Sequence, residues 1–107
     1  MSTSVIDGNI GALYAVSLTL NPASVATITT AEQDFTVPGV LVGDLILSFA
    51  MTTASAGLGV AGYRVKSANT ISVTFVNPTA GAIDAASGNF KLVIARLDSE
   101  LVGGLPS

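Results

Sequence analysis

Residues 63–66 read Tyr63-Arg64-Val65-Lys66, residues 70–77 read Thr70-Ile71-Ser72-Val73-Thr74-Phe75-Val76-Asn77, and residues 89–96 read Asn89-Phe90-Lys91-Leu92-Val93-Ile94-Ala95-Arg96. Each run alternates apolar and polar side chains over most of its length, which is the period of a β-strand with one buried face. Turn-forming residues follow the first run at Ser67-Ala68-Asn69, and a loop over residues 78–88 follows the second. The pattern predicts an antiparallel sheet.

The first half of the chain predicts three further strands. Residues 12–20 form a half-buried strand, which Asn21-Pro22 ends because proline gives no amide to a ladder. Residues 24–30 are rich in β-branched side chains and predict a second strand, and the polar residues 32–34 interrupt the pattern after it. Residues 44–51 predict a central strand, followed by a loop of small residues over 52–62. One face of the central strand is expected to carry Leu45, Leu47, Phe49 and Met51.

These elements predict an all-β fold, a single domain of residues 1–107 built as an antiparallel β-sandwich or barrel of jelly-roll-like type. Short strands separated by frequent turn signals are typical of such folds. The folded core is expected over about residues 12–98, with a flexible amino-terminal arm (1–11) and a carboxy-terminal tail (99–107) as extended termini. The predicted core contains Leu47, Phe49, Val65, Ile71, Val73, Phe75, Phe90, Leu92 and Ile94.

The composition predicts that a partner covers part of the surface. Half of the 107 residues are hydrophobic and only 10% are charged, against about 25% in a typical soluble domain. One small core does not need so many apolar residues, so we expect an oligomer or a subunit bound to a scaffold. No apolar run approaches the roughly 20 residues of a membrane-spanning helix, and the start of the chain carries no secretory signal. We therefore expect no membrane partner and synthesis in a cytoplasm.

Catalytic, metal and nucleic-acid chemistry are not expected. The sequence has no cysteine and no histidine, which removes thiolate ligands, the commonest general base and the commonest transition-metal ligand. The net charge of −3 argues against nucleic acid as a partner, because its binding needs clustered positive charge. The sequence thus predicts a protein that is not an enzyme and has no catalytic residue, cofactor or metal site.

Two motifs bear on that conclusion, and both have a structural interpretation. Residues 57–62 match the G-x-G-x-x-G dinucleotide fingerprint, but a strand pattern follows where the fingerprint needs a helix, so we expect a flexible loop. Asp34, Asp44 and Asp84 are the carboxylates that calcium binding or acid–base catalysis would use. Each is expected at a turn, where a carboxylate accepts hydrogen bonds from backbone amides.

Seven residues are candidate assembly contacts. Arg64 and Lys66 alternate with Tyr63 and Val65, so they are expected to point away from the core. They lie either on a solvated strand face or against an acidic neighbour in an assembly. The other candidates are apolar residues of the two ends, in segments too short or too rich in glycine to fold alone. They are Val5, Ile6, Leu101, Val102 and Leu105.

The order of the elements resembles that of a family of small β-rich structural proteins of tailed bacteriophages, the head decoration or cement proteins. The resemblance covers about residues 20 to 96, and its markers are turn residues between alternating strands. It is carried by Leu20-Asn21-Pro22-Ala23-Ser24-Val25, Phe35-Thr36-Val37-Pro38-Gly39, Val42-Gly43-Asp44-Leu45-Ile46, Val65-Lys66-Ser67-Ala68-Asn69-Thr70-Ile71-Ser72-Val73 and Ile83-Asp84-Ala85-Ala86-Ser87-Gly88-Asn89-Phe90.

The resemblance implies a virion protein, a homotrimer on the outer surface of the capsid that binds between major capsid proteins and stabilises the shell. Its partners would be other copies of itself and the major capsid protein. Two alternatives stay open: a head fibre, tail or baseplate component of the same fold, and a module that binds host-surface carbohydrate. The carbohydrate module is disfavoured because such sites use aromatic platforms, and the chain has no Trp and only two Tyr.

Overall fold

The computed structural model describes residues 8–51, 56–85, 87–99 and 101–105. Within these ranges the chain contains strands and no helix, which confirms the all-β prediction. The strands are β1 (Ile10–Leu20), β2 (Thr29–Thr36), β3 (Leu45–Met51), β4 (Gly59–Ser67), β5 (Thr70–Asn77) and β6 (Gly88–Leu97).

The strands form two sheets of three, in the orders β1-β6-β3 and β2-β5-β4. Every neighbouring pair is antiparallel. The central strands β5 and β6 supply most of the buried side chains, and both sheets contribute to a single apolar cluster. The architecture is therefore a two-layer sandwich and not a closed barrel. The central-strand members of the cluster are Ile71, Val73, Phe75, Phe90, Leu92 and Ile94.

The two long sides of the sandwich differ. Along one side, β3 and β4 come together through the rings of Phe49 and Tyr63, whose centroids are 6.3 Å apart. The Tyr63 hydroxyl also donates to the Leu47 carbonyl oxygen at 3.5 Å. Along the other side, β1 and residues 37–40 line a cavity of about 380 Å³. The sandwich is thus closed at β3 and β4 and open beside β1.

The predicted core is confirmed except at β3. Six of its nine residues are buried, and Phe49 and Val65 pack partly buried against them, but Leu47 is 52% exposed. The pairing of β3 with β6 shifts between Ile46 and Ser48, so Leu47 is the extra residue of a β-bulge. A bulge reverses the alternation of side chains beyond it. The expectation that Leu45 and Leu47 share the buried face with Phe49 is therefore wrong, and Ile46 packs on the core instead.

The second strand lies later in the sequence than predicted. β2 starts at Thr29, so only residues 29–30 of the predicted strand over residues 24–30 belong to a strand, and residues 32–34, which were expected to interrupt the pattern, lie within β2. Upstream of β2, a side chain satisfies the backbone amide and carbonyl groups of Ala23. The Gln33 side chain accepts from the Ala23 amide at 2.8 Å and donates to the Ala23 carbonyl oxygen at 2.9 Å. Val25 forms an isolated antiparallel bridge with Ile83, through backbone hydrogen bonds of 2.8 and 3.0 Å. The segment before β2 is thus held by single contacts and not by a continuous ladder.

The predicted loop over residues 52–62 is also shorter than expected. β4 begins at Gly59, so the last residues of that range are strand. Gly59 pairs with Val76, and a register shift follows between Val60 and Gly62. Residues 52–55 lie outside the described part of the chain.

Ile28 offers a test of local backbone strain. Its φ is +48° and its side chain is 76% exposed. This left-handed conformation is unfavourable for a β-branched residue and tolerable for asparagine. We expect Ile28→Asn to raise the free energy of unfolding by about 1 kcal/mol in urea denaturation. Ile28→Val, which keeps the branch, is the control, and equal stability of the two variants would show that no strain is relieved.

Candidate assembly surface

The outer face of the β2-β5-β4 sheet carries two ion pairs. Arg64 donates from Nε and Nη2 to the two carboxylate oxygens of Glu32, both at 3.1 Å. Lys66 Nζ lies 2.7 Å from Asp34 Oδ2, and the buried Ser72 hydroxyl donates to Asp34 Oδ1 at 2.6 Å. The four charged residues are exposed. This face is therefore polar, and its charges are balanced within the chain.

These contacts test the predictions for Arg64, Lys66 and Asp34. Arg64 and Lys66 point away from the core, as predicted, and the acidic groups that they bind belong to the same chain. Hydrogen bonds from Arg64 lower the pKa of Glu32, and those from Lys66 and Ser72 lower the pKa of Asp34. Asp34 lies within β2, so its expected position at a turn is wrong. Contact of the two basic residues with another subunit stays a prediction.

A third ion pair ties the β2–β3 connection to β6. Arg96 donates from Nε to Asp44 Oδ1 at 3.0 Å and from Nη2 to Asp44 Oδ2 at 2.7 Å. Asp44 also accepts from the Leu41 amide at 3.0 Å, which confirms its predicted role at a turn. The hydrogen bonds from Arg96 hold the pKa of Asp44 below its usual range. The Arg96 guanidinium lies 5.5 Å from the centroid of the Tyr14 ring, a distance suited to a cation–π contact.

The remaining motifs do not converge into a chemical site. Asp84 is exposed in the loop before β6. Among the described residues, no three acidic groups come together in a way that could hold a metal ion. Gly59 and Gly62 of the glycine motif lie in β4, where a nucleotide site would need the start of a helix. No helix in the described ranges is long and apolar enough to cross a membrane.

Exposed apolar side chains collect at one end of the β1-β6-β3 sheet. Leu13 and Leu45 flank Ala95 across the three strands, and Ala95 is fully buried between them. The bulged Leu47 follows Leu45, and the loop before β3 adds two more exposed residues beside the end of β6. We call this set the apolar end surface. It consists of Leu13, Leu41, Val42, Leu45 and Leu47.

Charge is sparse on this side of the molecule, where the exposed Asp98 directly follows β6. Lys91 is the one charged residue among the described positions that face outward from the β1-β6-β3 sheet, and it lies on β6 well away from Ala95. The two exposed ion pairs lie on the other sheet. The two outer faces therefore differ: one carries two ion pairs, and the other carries few charges and has exposed apolar side chains at one end. Such segregation is typical of a protein that buries its less charged face against a partner.

The residues of the apolar end surface were not among the assembly contacts predicted from the sequence. Leu45 and Leu47 were expected inside the core, and only the bulge turns them outward. Leu41 and Val42 stand in a short connection between Gly39 and Gly43. Val40 stands in the same connection and is buried, so the sequence does not tell its exposed residues from its buried one.

The two ends of the chain were the other candidates. Val5 and Ile6 lie outside the described residues. Leu101, Val102 and Leu105 are exposed and belong to neither helix nor strand. These three residues leave the sheet at the end where the apolar end surface lies, because β6 ends there.

Compared with family models, curated proteins and solved structures, the chain matches none of them. The resemblance to phage decoration proteins consequently rests on the residues quoted for it alone.

Proposed function

We propose that this protein is a non-enzymatic structural subunit of a tailed-bacteriophage virion. In this proposal it decorates the outside of the head as a homotrimer, binds between major capsid proteins and stabilises the shell. The virion surface is its place of action, after synthesis in the host cytoplasm. The observation that carries the proposal is the apolar end surface, together with the resemblance in turn and strand order.

The apolar end surface is better suited to a protein partner than to a small ligand. Five exposed apolar side chains at one end of a sheet exclude water well but hold no donor or acceptor with which to orient a small ligand. A protein partner of complementary shape fits such a surface better, because apolar burial contributes roughly 25 cal/mol per Å². The opposite, ion-paired face suits contact with solvent. An arrangement with one face on a scaffold and one in water is that of a decorating subunit.

A binding assay tests the proposal. Particles of the encoding phage that lack this protein are mixed with the purified protein and sedimented. We expect the wild-type protein to sediment with the particles. Leu45→Asp should weaken that binding about tenfold or more, because it places a charge in the contact. Ile28→Asp is the matched control, since it makes the same kind of change at an exposed residue near the opposite ends of the strands.

The assay distinguishes a wrong attachment face from a wrong function. Equal binding by both variants would show that the apolar end surface is not the attachment face. Failure of the wild-type protein to bind such particles at all would contradict the proposed function.

A further inference from the structure

The free edge of β1 is unprotected. The edge strand β2 carries Glu32 and Asp34, β4 carries Arg64 and Lys66, and β3 is broken by its bulge. β1 runs for eleven residues without a charged residue or a proline, and from its third residue onward its ladder with β6 is unbroken. Charges, prolines and bulges are the usual devices that keep a sheet edge from pairing with another chain. β1 lacks them along the length that could accept a further strand.

The cavity of about 380 Å³ opens beside this same edge. Its apolar lining comes from Val16, Val37, Val40 and Ile94. A strand added to β1 would point alternate side chains into this cavity and onto the outer face of the sheet. The cavity is apolar around Val16, while Asp44 and Arg96 line its other end as an ion pair. The outer side of β1 carries no charge. The segment that fits beside Val16 is therefore extended, uncharged and provided with an apolar side chain.

The carboxy-terminal tail of the chain has this chemistry. Residues 101–107 contain no charged side chain, and Leu101 and Val102 are adjacent. Val102 is 89% exposed and Leu105 is 88% exposed. Exposure of this kind favours association with an apolar site. Adjacent side chains in an extended segment point to opposite sides, as the two sides of the β1 edge require.

The tail cannot bring Leu101 and Val102 to the Val16 end of the cavity of its own chain. Asn9 Nδ2 donates to the Ser99 carbonyl oxygen at 2.6 Å, and the Asp98 amide donates to the Asn9 carbonyl oxygen at 2.7 Å. The tail therefore starts beside Asn9, seven residues before Val16, which is roughly 23 Å along a strand. The three residues from Ser99 to Val102 span at most about 11 Å. Arg96, at the other end of the cavity, is only three residues from Ser99, so the tail can approach that end within its own chain, but it reaches Val16 only in another molecule.

We propose that the tail of a second copy of this chain, residues 101–105, lies along the free edge of β1 and places an apolar side chain in the cavity. The contact joins two different surfaces, the tail of one copy and β1 of the next. Repeated around the threefold axis of the proposed homotrimer, such a contact closes a ring. The inference rests on the proposed function as an assembly subunit and gives the proposed homotrimer a specific interface.

Cysteine cross-linking tests this contact directly, because the chain has no cysteine of its own. Chains carrying Val102→Cys and chains carrying Ser17→Cys are co-expressed with tags of different size and treated with a short bismaleimide. Ser17 is exposed on β1 opposite Lys91, and Ala50 is exposed opposite Lys91 on the other edge of the sheet. Ala50→Cys is therefore the matched control for Ser17→Cys.

We expect a product with the combined mass of the two tagged chains for Ser17→Cys, at least about tenfold more abundant than for Ala50→Cys. Equal yields from the two positions, or no mixed product, would overturn the proposal. So would a cross-link confined to single chains in the double variant Ser17→Cys/Val102→Cys. The reaction needs no capsid, so its failure leaves the proposed shell binding intact, and failure of shell binding leaves the cross-link intact.

Light scattering coupled to size exclusion gives an independent readout. Val102→Asp places a carboxylate against the apolar lining of Val16, Val37 and Val40, so we expect the mass at micromolar concentration to fall from three chains to one. Val42→Asp, an equivalent change on the apolar end surface, should leave the mass at three chains. A monomeric wild-type protein, or a trimeric Val102→Asp variant, would contradict the proposed contact.

Discussion

Phe75→Ala is expected to cost about 3 to 5 kcal/mol of the free energy of unfolding, the largest effect of any single truncation that we anticipate. Phe75 is fully buried in the central strand β5. Its ring meets that of Phe35 edge-on, with centroids 6.3 Å apart. The truncation removes this contact and leaves a cavity between the two sheets. The other core residues keep the sheets at their distance, so the cavity does not collapse. A domain of this size has a total free energy of unfolding of about 5 to 15 kcal/mol, so the truncation removes a large fraction of it.

Urea or guanidinium denaturation followed by circular dichroism measures this loss. Thr74→Ala is the control, because Thr74 is the neighbouring residue on the opposite face of β5 and is only half-buried. We expect the control to change stability by less than about 1 kcal/mol. A loss of similar size in both variants would show that the cluster of β5 and β6 does not dominate the core.

Asp44→Asn is expected to have the second largest effect, about 2 kcal/mol. The Asp44 side chain is only 4% exposed, and it binds Arg96 through both oxygens while accepting from the Leu41 amide. The substitution leaves the guanidinium without its carboxylate and loosens the β2–β3 connection. Glu32→Gln is the control, because Glu32 is exposed and its pair with Arg64 is screened by solvent.

The same pair predicts a pH dependence. Because Arg96 lowers the pKa of Asp44 in the folded protein, the carboxylate contributes stability that is complete above the unfolded pKa of about 3.9. That contribution is lost as the pH falls through the lower folded pKa. The difference in stability between wild type and Asp44→Asn should therefore shrink below about pH 4 in acid titrations. A difference that grows on acidification would contradict this assignment.

The sequence was sufficient for the parts of the fold that local pattern controls. β5, β6 and the second half of β4 were predicted because their side chains alternate over most of their length, and Asn69 ends the turn between β4 and β5 with a φ of +63°. The same regularity predicted the burial of the central-strand residues. Position along a regular strand fixes which side a residue faces, so no knowledge of distant contacts was needed there.

Elements that depend on distant contacts could not be predicted. The bulge at Leu47 arises in the pairing of β3 with β6, and its effect on the alternation has no local signature. The Gln33 side chain forms two hydrogen bonds with the backbone of Ala23, ten residues away. Asp44 and Arg96 lie 52 residues apart in the chain. The bulge in turn exposes part of the apolar end surface, so that surface became visible only in the folded chain.

The central claim is that this protein decorates the head of a phage. The most direct measurement is a comparison of electron cryo-microscopy maps of particles with and without the protein. We expect additional threefold density on the outer surface of the shell, into which the two-sheet sandwich fits with the apolar end surface towards the major capsid protein. Identical shells in the two maps, or additional density confined to the tail or to fibres, would contradict the claim.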